Sequence, residues 1–113
     1  ETIIGRRRYI KEINSSNFMT RKLGERLAMN SPIQGSAADV IKLAMISVHR
    51  ALEENNLKSK LILQIHDELI IDTAIDEEEQ VSKLLVDCMQ KAMVLKVKLI
   101  SQLNTGSNWY QLK

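Results

Sequence analysis

The stretch Leu61-Ile62-Leu63-Gln64-Ile65-His66-Asp67-Glu68-Leu69-Ile70-Ile71-Asp72 limits the possible folds more than any other part of the chain. Two apolar runs flank the short polar group His66-Asp67-Glu68. Each run is rich in Ile and Leu and too short for a typical helix, so the pattern predicts two buried strands joined tightly. The turn then holds adjacent carboxylates, Asp67 and Glu68, at the tip of a stiff apolar support. Two such charges about 5 Å apart repel by roughly 3 kcal/mol at an effective dielectric near 20. A divalent cation would remove that penalty, and magnesium commonly takes one or two carboxylates and fills its other positions with water and substrate phosphate. A solvated charged turn, its repulsion relieved by water or by a raised pKa, accounts for the same residues.

Around this hairpin the pattern is mostly helical. Asn14-Ser15-Ser16-Asn17 is a polar break suited to start a helix, and Met19, Leu23 and Leu27 then recur at helical spacing. Gly24 weakens that helix by up to ~1 kcal/mol relative to Ala and leaves room for another backbone to approach. Ser31-Pro32-Ile33-Gln34 predicts the end of this helix and the start of another. Pro disfavours helical geometry at Ser31, suits a first helical position, and Ser31 with Gln34 fits a capping box. Ile41, Ala44, Met45, Val48 and Leu52 form one apolar stripe with Glu53-Glu54-Asn55-Asn56 as a polar exit, and His49 falls beside the stripe as a surface histidine. After the hairpin, Asp76-Glu77-Glu78-Glu79 opens a further helix in which Asp76 and Glu79 cap one turn. Its buried face is Val81, Leu84, Leu85, Cys88 and Ala92, widened by Met89 and Met93. At the ends the reading is extended. Thr2 to Ile10 forms two short pieces around Gly5, and Val97, Leu99 and Leu103 predict a strand closed by Asn104-Thr105-Gly106, with Trp109-Tyr110 packing the tail down. The expected fold class is α+β, with helices packed on a small antiparallel sheet and the acids at a β-hairpin turn.

A chain of 113 residues, 44% hydrophobic and 27% charged, suits one soluble globular domain over 1–113. No apolar run approaches the length of a membrane span, and the start shows no signal-peptide pattern, although Glu1 is not a natural initiator. The lone Cys88 reads as a reduced core thiol, which fits a cytosolic protein. Net charge is +2 but uneven: from Glu1 to Asn30 seven Lys or Arg stand against three Glu, whereas the segment Asp72 to Asp87 sets six acids against Lys83. The basic third, Arg6-Arg7-Arg8 above all, suits phosphate contact; a charged, solvated edge accounts for it equally well.

Gln64-Ile65-His66-Asp67-Glu68-Leu69 resembles the third catalytic motif of the family A DNA polymerases, the bacterial DNA polymerase I group. Gly5-Arg6-Arg7-Arg8-Tyr9, the run Glu25 to Asp39 through Ser31-Pro32-Ile33-Gln34-Gly35, and Gly106-Ser107-Asn108-Trp109-Tyr110 extend the likeness, in the right order, over essentially the whole chain. The resemblance implies the C-terminal part of a polymerase palm. It implies template-dependent nucleotidyl transfer to a primer 3′ end by two Mg²⁺ ions, in DNA replication and repair in the bacterial cytoplasm and nucleoid. It places metal-site carboxylates at Asp67 and Glu68, with Asp67 the direct ligand and Glu68 acting through water or as support. It assigns contacts with primer–template DNA to Arg26, Asn30, Gln34 and His66; the first three line one face if helical geometry carries across Pro32. Deoxynucleoside triphosphates are the implied substrates. The family's first catalytic motif and its fingers helix do not occur among these residues, so the expectation is an excised piece, inactive alone and prone to self-association through apolar surface. Lys11 and Lys98 stand where the family usually has Pro, and Gln102 where it often has an acid, departures that bear on local strand detail. The competing expectation is a stand-alone, non-enzymatic module binding nucleic acid or protein through its basic third. A small metal-dependent phosphohydrolase would need more ligands than Asp67 and Glu68.

Overall fold

Asn17 starts the first helix in the computed structural model, which describes residues 1–112. Its side-chain Oδ1 accepts from the backbone N–H groups of Met19 and Thr20 at 2.9 and 3.2 Å, the cap geometry that Asn favours. Helix α1 then runs unbroken over Phe18–Glu54 and carries Pro32 inside it. The expected division at Ser31-Pro32 is therefore corrected. Pro32 cannot donate to the Ala28 carbonyl and its ring crowds that carbonyl, which costs about 3 kcal/mol in a helix interior. The N-terminal arm bonds to α1 on this stretch. Arg8 Nη1 donates to the Ser31 hydroxyl at 3.1 Å, Arg6 Nη2 to the Gly35 carbonyl at 3.2 Å, and the Ile3 N–H to the Ser36 hydroxyl at 2.9 Å. Arg6 Nε also pairs with Asp39, whose side chain is 1% exposed. Ser31 is thus a partner of Arg8 and not a helix cap.

These contacts lie within one compact unit, Glu1–Val40; the second is Ile41–Lys113. In the first unit, Thr2 to Ile10 forms a turn and an irregular arm instead of the expected strands. The Gly5 N–H donates to the Thr2 carbonyl at 2.9 Å, and Gly5 takes the left-handed φ of 87°. The arm's backbone groups bond largely within this turn, the Thr2 N–H to the Arg6 carbonyl at 2.8 Å and the Arg6 N–H to the Thr2 hydroxyl at 3.1 Å, while the Ile3 N–H reaches Ser36 on α1. A 3₁₀ turn, Lys11–Asn14, follows. It lies so close to α1 that a Cβ added to the buried Gly24 would sit 2.6 Å from the Ile13 backbone nitrogen. The close backbone approach expected of Gly24 is what the fold uses. Gly24→Ala, normally favourable in a helix, should here destabilise the chain by about 1–3 kcal/mol through overpacking, measured by denaturant unfolding. An unchanged or raised midpoint would show that the 3₁₀ turn yields freely.

In the second unit α1 ends as its polar exit predicts. Asn56 takes the left-handed φ of 52°, its N–H donates to the Glu53 carbonyl, and the Leu57 N–H donates to the Leu52 carbonyl, both at 3.0 Å. This paired arrangement satisfies the carbonyls that the last turn leaves open. Strands β1 (Lys60–Ile65) and β2 (Glu68–Asp72) then form an antiparallel hairpin, and helix α2 spans Glu78–Gln90 after a 3₁₀ turn at Ile75–Glu77. Ala44, Val48 and Leu52 of α1 meet Leu69 of β2 and Val81 of α2 in one core, flanked by Leu57, Leu61, Ile71, Leu84 and Cys88. The stripe predicted from Ile41 to Leu52 packs, as do Val81, Leu84, Leu85, Cys88 and Met89 of α2; that helix ends at Gln90, short of Ala92 and Met93, which the sequence placed on the same face, and the earlier Met19 and Leu23 of α1 stand exposed. Burial raises the Cys88 thiol pKa, with the neighbouring Asp87 adding to it, so the thiol stays protonated as a core group should.

Two expectations fail in the stretch of this unit that follows α2. Val97, Leu99 and Leu103 form no strand; the sheet among the described residues is β1–β2 alone, and without a neighbour to take its backbone groups this segment stays irregular, with Val94 98% and Ile100 81% exposed. The tail closes in a 3₁₀ helix, Trp109–Leu112, but Tyr110 stands 87% exposed instead of packing it down.

Candidate functional site

Ile65 pairs with Glu68, so the hairpin loop is two residues long, His66-Asp67. Loops of this length need positive φ, and His66 supplies it at 51°. A histidine in this region carries a local steric cost of about 1–2 kcal/mol. Gln64 holds the turn in place: its Nε2 donates to the His66 carbonyl at 2.6 Å. The peptide that leads into Asp67 is therefore fixed from the β1 side.

A bulge between Leu61 and Leu63 decides how the two strands face. Below it, Leu61 lies opposite Ile71, and both pack on the core. Ile62 is the extra residue. Above it the alternation is shifted by one, so Leu63 and Ile65 share the outer face with Ile70 and Glu68, while Leu69 turns inward. The strands are thus buried on one face, not on both as the apolar runs suggested. Asp67 and Glu68 are exposed, and neither carboxylate has a hydrogen bond or ion pair among the described residues. Their donor set is two hard oxygens with free lone pairs, which fits a magnesium-type ion that takes one or two carboxylates. No group of three or more His, Cys, Asp or Glu capable of holding a metal occurs among the described residues.

The base of the hairpin is held by a residue that the sequence did not single out for this task. Glu77 accepts through Oε1 from the Lys58 and Ser59 N–H groups, each at 2.9 Å, and from the Ser59 hydroxyl at 2.7 Å. Its Oε2 accepts from the Lys58 N–H at 3.0 Å. The expected mutual capping of Asp76 and Glu79 does not form; α2 begins with no side-chain cap bond. The Lys58 backbone bond, then the Ser59 hydroxyl, hold the Glu77 pKa below its ordinary 4.5. A carboxylate with a lowered folded pKa adds stability above its unfolded value, and that contribution is lost as pH falls through the lowered one.

Arg26, Asn30 and Gln34 lie on α1, in the first unit. Because the helix continues through Pro32, their four-residue spacing places them within about 80° of one another around the axis. All three are exposed, and none spends its side chain on a hydrogen bond or ion pair among the described residues. The arm residues Arg6, Arg7 and Arg8 border a cleft of about 330 Å³ that Gln34, Ser31 and Gly35 also line. Sequence reasoning missed the tasks of Gln64, Ser59 and Glu77. Gln64 lay inside the recognised motif but carried no distinguishing signal, and Glu77 was absorbed into an ordinary acidic helix start.

The chain matches the family model for DNA polymerase family A over residues 1–111. It is 53% identical to DNA polymerase I of Caldicellulosiruptor bescii over 112 residues, covering 99% of this chain and 13% of that protein. It is 48% identical to DNA polymerase I of Bacillus subtilis, with 99% and 13% covered. Among solved structures, the POL domain of Pol1 from M. smegmatis, in complex with DNA primer-template and dNTP, matches with a TM-score of 0.83 at 46% identity, over 87% of this chain and 17% of that one. The chain thus spans about an eighth of the length of these curated relatives.

Proposed function

Because the chain belongs to DNA polymerase family A, we propose that it supplies the C-terminal part of a polymerase palm, a single partial domain over 1–113 in a longer enzyme that extends a DNA primer on a template. The observation that supports this most directly is the pair Asp67-Glu68, carried on a two-residue turn with both carboxylates free of internal partners. When bound, two Mg²⁺ ions supply activation of the primer 3′ hydroxyl and charge stabilisation at the triphosphate and leaving pyrophosphate. Asp67 is the direct ligand. Glu68, next to it at the start of β2, supports the site or acts through water. His66 adjoins Asp67 and faces the primer end. Arg26, Asn30 and Gln34 donate to minor-groove acceptors, whose positions are nearly independent of sequence, so these residues test pairing shape without reading bases. The solved relative carries primer-template DNA and a deoxynucleoside triphosphate, which supports the same partners here. Among the described residues no helix is long and apolar enough to cross a membrane. The bacterial relatives support work in the bacterial cytoplasm.

The test is primer extension by the full-length protein that contains this sequence. Extension should require template and a divalent ion and should stop on chelation. The isolated 113-residue chain should be inactive and should self-associate in light scattering, since Met29, Ile33 and Val94 are among its exposed apolar residues. Salt-sensitive DNA binding by a full-length protein that extends nothing, with or without Mg²⁺, would instead favour a non-enzymatic binding module.

A further inference from the structure

The clasp at the foot of the hairpin points beyond stability. Lys58 and Ser59 immediately precede β1, and Ala74 lies two residues after β2. Glu77 takes both N–H groups on the β1 side, and the Ser59 hydroxyl, while donating to Glu77, accepts from the Ala74 N–H at 3.0 Å. One carboxylate and one hydroxyl therefore tie both legs of the hairpin to each other and to the start of α2. Ser59 is 3% exposed, so its hydroxyl cannot readily trade these partners for water. The first turn of α2 is itself anchored, because Val81 sits in the core with Leu69 of β2.

A hairpin of two short strands is marginal by itself. Here only one face packs, and the bulge at Ile62 interrupts the ladder partway up. The six residues of β1 make a lever about 20 Å long. Tilting such a lever by about 3° moves its tip by about 1 Å, and misplacing a catalytic group by 1 Å can cost on the order of 10²-fold in rate. We propose that Glu77 and Ser59 are positioning residues for the acid pair, setting through the hairpin where Asp67 and Glu68 stand. This rests on the reading that the pair serves nucleotidyl transfer.

The test uses the full-length enzyme with Glu77→Ala, Ser59→Ala and Glu77→Gln. Glu77→Ala should lower kcat for extension by about 10- to 100-fold. It should raise the Mg²⁺ concentration giving half-maximal rate several-fold and leave KM for primer–template within about twofold. Amides of residues 60–72 should exchange hydrogen faster in the metal-free variant, a readout that does not depend on activity. Ser59→Ala should shift each quantity the same way by less. Glu77→Gln keeps an acceptor oxygen and should recover part of the loss. If Glu77→Ala fails to fold, the other two variants carry the comparison. A lowered melting temperature with kcat, Mg²⁺ midpoint and hairpin exchange all at parental values would overturn the proposal and leave the clasp a structural tie. Failure of the underlying reading has a separate signature: Asp67→Ala would extend primers normally in the same assay.

Discussion

On the proposed reading, Asp67→Ala in the full-length protein should lower primer extension by at least about 10³-fold, which corresponds to about 4 kcal/mol of lost transition-state stabilisation. Stability moves little, by about 0.5 kcal/mol or less, because Asp67 is exposed, has no internal partner and stands beside a like charge. Affinity for primer–template should change little as well, since the groove contacts proposed above lie at Arg26, Asn30 and Gln34. Glu68→Ala has a smaller effect, about 10- to 100-fold, in keeping with support of the site. A solvated turn predicts the same small change in stability but no loss of rate. The decisive measurement is single-turnover extension beside a melting curve: an Asp67→Ala enzyme within a few-fold of the parent rate would end the assignment of a metal-holding role.

Much of the acid pair's setting can be read from residue types alone. Short apolar runs on either side of three polar residues leave few options besides a hairpin, and the register places Asp67 in its loop and Glu68 at the first paired position. The helix stripes from Ile41 to Leu52 and from Val81 to Cys88 are equally plain, because 3.6-residue periodicity survives any detail of packing. What the sequence hides is non-local. Nothing in Leu61-Ile62-Leu63 announces a bulge, yet the bulge decides that Ile62 is 61% exposed. Glu77 belongs to an acidic run whose local use, starting a helix, is sufficient to explain it; its actual partners lie 18 and 19 residues away. The same limit applies to the strand expected near Val97. Alternation gives a segment strand character, but pairing requires an edge, and the sheet of β1 and β2 provides none to it.

Pro32 lies inside α1 against the local rule, and the arm that bonds the helix around it yields the second large effect. Arg6 bonds both the Gly35 carbonyl and the buried Asp39, within two turns of helix beyond Pro32. Arg6→Met retains an apolar stem and removes the guanidinium, leaving the Asp39 carboxylate without that cation. Removing one member of a fully buried pair costs roughly 3–5 kcal/mol; Arg6 is about half exposed, so the loss belongs near the lower end, about 3 kcal/mol. Denaturant unfolding measures it. A double-mutant cycle with Pro32→Ala then asks whether the arm compensates for the proline. Alanine restores an N–H for the Ala28 carbonyl and removes the ring, so the helix no longer depends on being strapped. If the strap serves this purpose, Arg6→Met should cost about 1 kcal/mol less in the Pro32→Ala background. Additivity within about 0.5 kcal/mol would mean that the arm and the proline act independently. In that case the continuity of α1 through Pro32 would have to come from the helix's own turns on either side, and the exposed faces of Arg26, Asn30 and Gln34 would keep their alignment even with the arm released.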